Sequence, residues 1–567
     1  MTARPSDESI RMLQRYWLAL AAAAIAPAAF AQAPDRSLSD TRPNIVLIMA
    51  DDLGYSDIGA YGSEIRTPNL DTLAAEGVQL TSYHTSPTCG PTRAMLMTGV
   101  DHHRAGIGIN NAALRRLPEL RERPGYEGML NDRVVTVARL LKDAGYETFM
   151  TGKWDLGTQP EKWPTARGFD RFMGIPSSGA SHFADAVGTF RAVEDVTYVM
   201  DGEVLESLPE DFYSSRSYTD TMLEFVAERD DPSAPYFAYV AYTAPHWPLQ
   251  VPDDWIERYA GEYDIGWDAV RAARFERQRA KGLVPAESTL SPRHRAVPDW
   301  DDILPGRRAV ELKRMEIHAA MIELMDVHIG RLIDTLHEDE SRETVVIFLS
   351  DNGAEANDVV GILDTEYWVA SRFDNRLANM GRQDSYVWLG VGWGAATSTP
   401  FRLFKSFVSG GGIRAPAIFH STTGRFGQGL RSAVVTVSDV PATILDLAGA
   451  SHPGDRYGDR EIIPMAGMSA LDHLSGKAET VHGDQPLGWE LYGNRALIKG
   501  DWKAMLIWPP EGDGEWALFD VANDPAETEN LATQYPDRLE DMIGDWEAYA
   551  EQNGVAVYDR DLGYGRY

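Results

Sequence analysis

The sequence predicts an α/β protein: a large, mainly parallel sheet covered by helices, followed by a smaller C-terminal α+β domain with a short antiparallel sheet. Three observations lead there. Short, continuously apolar runs, the kind that form strands buried on both faces, each end in polar residues able to do chemistry. Helical patterns alternate with these runs, which is the order of βαβ units. From about residue 450 the texture changes to strands joined by turns and closed by a helix.

The first such run is "NIVLIMA", residues 44 to 50, and it leads directly into Asp51 and Asp52. In "TPNLDTLAAEG" a helix follows, with Thr67 as cap, Pro68 at the first helical position and Gly77 as stop. In "CGPTRAMLMTG" Pro91 pre-sets a first helical turn, so Cys89 is expected near a helix N-terminus, a place that favours anions. "YETFMTG" precedes Lys153, "PYFAYVAYT" precedes His246 and "TVVIFLS" precedes Asp351, and each reads as a further strand. Residues 251 to 310 read as a polar helical insertion, and residues 309 to 338 as one long helix. "SGGGIR", residues 409 to 414, lacks the spacing and terminal lysine of a P-loop and is read as a turn. "NRALIKGDWKAMLIWPP" and "EWALFDVANDPAETENLA" supply the C-terminal strands.

Composition narrows the function. Against 53 Lys and Arg stand 85 Asp and Glu, a formal charge of −32, which excludes a broad nucleic-acid or anionic-membrane surface. An anionic substrate must therefore meet a local positive site. Residues 1 to 31 carry a basic flank (Arg11, Arg15), an apolar run and a small-x-small site at Ala29-Phe30-Ala31, the pattern of a cleaved export signal and hence of a periplasmic or secreted protein. The apolar run is shorter than the roughly 20 residues of a spanning helix, and no later stretch is apolar enough to span a bilayer. The expected organisation is then a signal peptide over 1–31, a catalytic domain over 32–450 and a C-terminal domain over 451–567.

Ligands of open α/β sheets bind beyond the carboxyl ends of the strands, where the polar residues named above lie. Asp51-Asp52 and Asp351-Asn352 would together offer hard oxygen donors suited to calcium or magnesium; either pair alone also fits an ordinary turn or cap. Arg93, Lys153, His246 and Lys405 are candidate anion contacts or proton donors. Cys89 is the sole cysteine, so it forms no internal disulfide; it is a packing residue, an intermolecular link or chemistry. Given one cysteine, finding Pro two residues later and Arg four later has a chance of roughly one in a few hundred.

With those residues in place, the chain resembles the type I sulfatases of the alkaline-phosphatase-like superfamily, in particular the large bacterial arylsulfatases. The resemblance runs from about Pro43 to the C-terminal helix and rests on "PNIVLIMADDLGYSD", "CGPTRAMLMTG", "TGKWDLG", "APHWPLQ", "SDNGAE" and "FRLFKSF". It implies an alkaline-phosphatase-like α/β/α sandwich and an enzyme that hydrolyses sulfate monoesters. It further implies that a dedicated maturation enzyme oxidises Cys89 to formylglycine, whose hydrate attacks sulfur and forms a sulfate hemiacetal. By the same resemblance Asp51, Asp52, Asp351 and Asn352, with residue 89, surround one calcium ion, magnesium or manganese being the lesser alternatives. Arg93 and Lys153 hold the formylglycine and the sulfate, and His246 and Lys405 contact the sulfate and the leaving oxygen.

One position departs from the pattern. The family usually reads G-K-W-H-L-G, and this chain has Asp155 in place of the histidine. Three readings stand: the carboxylate takes over as base for hemiacetal collapse, it is merely tolerated, or it shifts substrate or metal preference. Two rival functions also stand, a phosphonate monoester or phosphodiester hydrolase of the same superfamily and a binding homologue with impaired chemistry. The acidic charge points to small aryl or alkyl sulfates over long polysulfated chains. The aromatic and glycine-rich stretch 379–401 is read as bordering the pocket or packing on the core. The sequence sets no oligomeric state.

Overall fold

The computed structural model describes residues 41–562 apart from 192, 363 and 364; residues 1–31, expected to form an export signal, lie outside the described residues. A ten-stranded sheet runs through these residues, and at its centre five strands lie parallel in the order Thr344–Ser350, Asn44–Ala50, Tyr236–Ala241, Glu147–Lys153, Arg171–Ile175. Antiparallel strands flank this group, beginning with Ala417–Ser421 on one side and Val199–Met200 on the other.

The Asn44–Ala50 strand shows why the apolar runs are continuous. Successive side chains of a strand point to opposite faces. Val46, Ile48 and Ala50 enter one core with Met321, Met325 and Ile329 of the long helix Pro305–His337. Ile45, Leu47 and Met49 enter a second core with Leu140 and Leu141 of Val137–Asp143 and Ile444 of Asp439–Leu447. Both faces are dry, so every position is apolar, and the result is the three-layered α/β/α sandwich.

Register then places the chemistry. Ala50 pairs with Ser350, and Gly152 with Ala241, so the parallel strands finish together and their next residues share one edge. Asp51 and Asp351 are thereby neighbours, with the Asp351 amide donating to the Ala50 carbonyl at 3.2 Å.

The helix expected around "TPNLDTLAAEG" is Pro68–Glu76, and the long helix is Pro305–His337. Two expectations change in detail. The "SGGGIR" segment is one helical turn, Gly410–Ile413, and not a simple turn. Its glycines reflect crowding: a Cβ on Gly411 would lie 2.0 Å from the Leu403 carbonyl, and one on Gly412 1.9 Å from that of Phe407. The insertion helix Gly266–Lys281 buries polar as well as apolar residues, with Arg274 and Gln278 fully enclosed beside Trp267 and Phe275. Arg274 meets Asp57 at 2.8 Å and Glu64 at 2.6 Å, and so braces the segment that follows Asp51-Asp52.

C-terminal to this body, four strands from Leu487–Leu491 to Trp516–Asp520 form an antiparallel sheet of successive hairpins. Met542 and Trp546 of the helix Pro536–Asn553 cover one face with Leu497 and Leu518. The other face packs Trp489, Ile498 and Met505 against Leu403, Phe404 and Phe407, the residues flanking Lys405.

Candidate active site

Cys89 is the first residue of the helix Cys89–Thr98 and is buried. Its Sγ lies 3.3 Å from Asp51 Oδ1 and 3.8 Å from Asp52 Oδ1. From the neighbouring strand ends come Lys153, whose Nζ is 2.8 Å from Asp51 Oδ2, and Asp351, which receives Arg93 Nη2 at 2.8 Å. Arg93 also donates to the Lys153 carbonyl at 2.8 Å, which ties the Cys89 helix to the strand edge. Lys405 Nζ meets Asp52 Oδ1 at 2.7 Å, and His246 Nε2 stands 3.6 Å from Asp52 Oδ2. The sequence-predicted residues thus converge from segments up to 353 positions apart.

Asp155 sits slightly further out. Its backbone is in the left-handed region, φ 57°, and a Cβ placed on Gly90 would lie 3.5 Å from its Oδ2. It lines the same cavity as Cys89, Lys153, His246 and Lys405, and its carboxylate takes no hydrogen bond from another described residue.

The electrostatics follow from burial. Burial works to raise Asp52, yet Lys405, with His246 and Lys153, holds it well below the usual carboxylate range. Burial and the adjacent Asp51 push Asp351 up to about 6 in spite of Arg93. Burial, with Lys153 and Lys405 close by, brings His246 down to about 3 against the pull of Asp52, so the ring is neutral. Its Nδ1 lies 2.5 Å from the Trp247 carbonyl, which only accepts, so Nδ1 carries the proton and Nε2 faces the site with its lone pair. Burial, then the charge of Asp351, pushes the Cys89 thiol well above its ordinary value, so this sulfur is a protonated thiol and not a thiolate nucleophile.

The donor set fits a hard cation. Oxygens of Asp51, Asp52 and Asp351 lie with Cys89 Sγ within 4.8 Å of one another. Asn352 donates through Nδ2 to Asp52 Oδ1 at 2.7 Å, while its Oδ1 is buried without a hydrogen-bond partner. A buried amide oxygen beside three carboxylates is what a calcium or magnesium ion would satisfy.

Glu355 was not singled out by the sequence reading, although it ends the quoted "SDNGAE". It is buried, its Oε2 lies 3.4 Å from Lys405 Nζ, and Asn357 holds its other oxygen. The only sequence signal was an acidic residue three positions after Asn352, a spacing with no meaning until Lys405 is placed. The stretch 379–401 does not line the cavity: Trp393 packs in the core on Trp267 and Trp300, and Tyr386 backs the cavity residue Trp247 at 5.6 Å.

The profile of the Sulfatase family matches residues 43–450. The chain belongs to the sulfatase family. An uncharacterised sulfatase of Schizosaccharomyces pombe is 40% identical over 541 residues, covering 93% of this chain and 97% of that one. An arylsulfatase of Klebsiella aerogenes is 37% identical over 434 residues, covering 76% of this chain and 91% of its own. Among solved structures, Ps i-CgsB superposes with a TM-score of 0.64 at 23% identity, covering 92% of this chain and 95% of that one, a likeness of fold. This sulfatase is accordingly a sulfuric ester hydrolase with an alkaline-phosphatase-like fold. Among the described residues no helix is long and apolar enough to cross a membrane.

Proposed function

We propose that this sulfatase releases inorganic sulfate from the monoesters of small aryl or alkyl alcohols, acting as an exported enzyme whose Cys89 has been converted to formylglycine by a maturation enzyme. The observation that carries the reading is the ring of Asp51, Asp52, Arg93, Lys153, His246, Asp351 and Lys405 around a buried, protonated Cys89 at a cavity of about 420 Å³, a volume suited to small molecules.

Three cations, Arg93, Lys153 and Lys405, already balance the carboxylates Asp51, Asp52 and Asp351. Asp51, Asp52, Asp351 and Asn352 would hold a calcium ion, which adds Lewis acidity and the positive charge that a sulfate ester needs in so acidic a protein. A hydrated aldehyde at residue 89 would supply the nucleophilic hydroxyl and, through its second hydroxyl, a route for sulfate to leave without attack by water.

The rest falls to side chains. Lys153 and Lys405 line the cavity and would neutralise the charge that develops on the equatorial sulfate oxygens. Lys405 donates the proton to the departing oxygen, because neutral His246 presents an acceptor at Nε2. Glu355, 3.4 Å from the Lys405 ammonium, helps to keep it in place. Asp155, without a hydrogen bond among the described residues and lining the cavity, would accept the proton of the second hydroxyl during sulfate release.

The test is the mass of the residue-89 peptide from exported protein together with turnover of an aryl sulfate and an aryl phosphodiester. An aldehyde and a preference for the sulfate are expected. An unmodified thiol, or a large preference for the diester, overturns the reading in favour of a binding homologue or a diesterase.

A further inference from the structure

The segment "ALRRLPELRER", residues 113 to 123, holds four arginines in a chain of net charge −32. It forms the helix Asn111–Leu114 and the 3-10 turn Pro118–Glu122. Leu114, Leu117 and Leu120 are buried against Leu491, Tyr492 and Ala556 of the C-terminal region. Three-residue spacing of the leucines fixes one face inward, so Arg115 and Arg121 face out, and both line the catalytic cavity.

These two guanidinium groups are uncompensated. Neither has a salt bridge or hydrogen bond to any described residue. Partial burial and the like charges of Arg121 and Arg116 lower the pKa of Arg115, with no carboxylate acting the other way. Cavity-lining Glu127 is already engaged by Arg133 at 3.4 Å and by the Gly125 amide at 2.9 Å. The lining shared by the arginines and Cys89 includes the apolar Ile107 and Leu114 among polar side chains such as Asn111 and Asp155. Leu114 Cδ2 would lie 2.9 Å from a Cβ on Gly128, and Ile107 Cγ2 3.4 Å from one on Gly90, which follows Cys89. Phe190 and Trp247, in edge-to-face contact at 5.6 Å, line the same cavity.

We infer that Arg115 and Arg121 recognise a second anionic group on the substrate, so the preferred substrates are sulfate esters of compact, aromatic or apolar alcohols that also carry a carboxylate or sulfonate. This rests on the proposed sulfatase activity and narrows it. The scissile sulfate occupies the end at Cys89, the hydrocarbon body lies on Ile107, Leu114 and Trp247, and the distal anion meets the arginine pair. Both side chains are solvent-exposed, so an anion placed between them gains the modest free energy of two partly screened charge contacts. In so acidic a protein, such a pair at the mouth also steers doubly charged substrates inward.

Phenyl sulfate, 4-carboxyphenyl sulfate and 4-sulfophenyl sulfate decide the matter. The matured enzyme is expected to show a kcat/KM roughly three- to tenfold higher on the two dianionic esters at low salt, the range of two partly exposed ion pairs, and the ratio should shrink as salt rises. Arg115→Gln with Arg121→Gln should bring the ratio to about one, and Arg115→Lys with Arg121→Lys should restore a preference, since charge and not packing is at stake. Equal or better turnover of phenyl sulfate by the parent enzyme, or an unchanged ratio in the glutamine variant, overturns the inference. Titration calorimetry of the same esters into a Cys89→Ala chain reads the same ratio in Kd. A sulfatase reading that fails, with no ester hydrolysed, therefore stays separate from an arginine pair that fails to discriminate.

Discussion

Asp155 is the position where the chain leaves its family's pattern, and the proposed release of sulfate turns on its carboxylate. Its φ of 57° is costly for most side chains, but aspartate and histidine are both enriched in that region. The backbone therefore admits either residue, and the exchange trades an imidazole for a carboxylate at one place beside Gly90. Asp155→Asn keeps the shape and removes the proton acceptor. In a single-turnover experiment, sulfate release should slow by about 100-fold with alcohol release unchanged, the low end for loss of a general base; equal rates for both steps would remove Asp155 from the chemistry. The metal reading is tested at the same scale. Calcium binding the native site stabilises by mass action, so chelation should lower the melting temperature by a few degrees and added calcium restore it. Asn352→Leu should abolish that response, because it removes a buried, unpartnered amide oxygen whose side chain sits beside Asp52.

At the scale of elements, the helix Gly266–Lys281 shows what periodicity hides. Its sequence, "GWDAVRAARFERQRAK", reads as part of a polar helical insertion, yet Arg274 is fully enclosed between Asp57 and Glu64. His318 of the long helix adds a contact to Asp57 at 3.1 Å. Arg274→Ala removes the guanidinium partner of the buried Asp57 and leaves it only His318 and the Gly54 amide, so it should destabilise by about 3–5 kcal/mol, measured by denaturant unfolding; a loss under about 1 kcal/mol would mean that water replaces the guanidinium. Strands were far more legible than this helix. Every run from "NIVLIMA" to "TVVIFLS" became a central strand, because burial on two faces forces an uninterrupted apolar sequence that no other short element requires. Glu355 and Arg274 were not legible, because the partner that gives each its meaning, Lys405 or Asp57, is distant in sequence and the pairing is visible only once the chain is folded.

Across the whole molecule, the two sheets are joined by polar groups as well as by the apolar contact around Lys405. His103 lies between Asp101 at 2.9 Å and Glu490 of the C-terminal sheet at 3.0 Å, and Tyr549 of the last helix donates to Asp101 at 2.8 Å. Burial alone would lower the His103 pKa, but Asp101 and Glu490 lift it to about 9, above the ordinary value of 6.5. A raised histidine stabilises the fold fully below its unfolded pKa and loses that contribution as pH rises through the folded one. Stability should therefore fall by on the order of 2–3 kcal/mol between about pH 6.5 and 9.5. His103→Gln should be less stable at pH 6 and should flatten this slope; an unaltered slope would assign the pH dependence to other groups. The same junction holds the arginine-bearing segment through Leu491 and Tyr492, so the C-terminal region shapes the cavity wall without supplying a residue to the ring around Cys89.

By itself the sequence determined the α/β class, the strand ends that carry Asp51, Lys153 and Asp351, and the Cys-x-Pro-x-Arg signature, since local apolar runs and a fixed spacing are written along the chain. Only the tertiary structure decided how charge is distributed. Which carboxylate each lysine meets, that Glu355 faces Lys405, and that Arg115 and Arg121 stand uncompensated at the cavity all depend on distances between segments. The physical reason is that Coulomb interactions and desolvation follow separation and burial, and neither is set by position in the sequence.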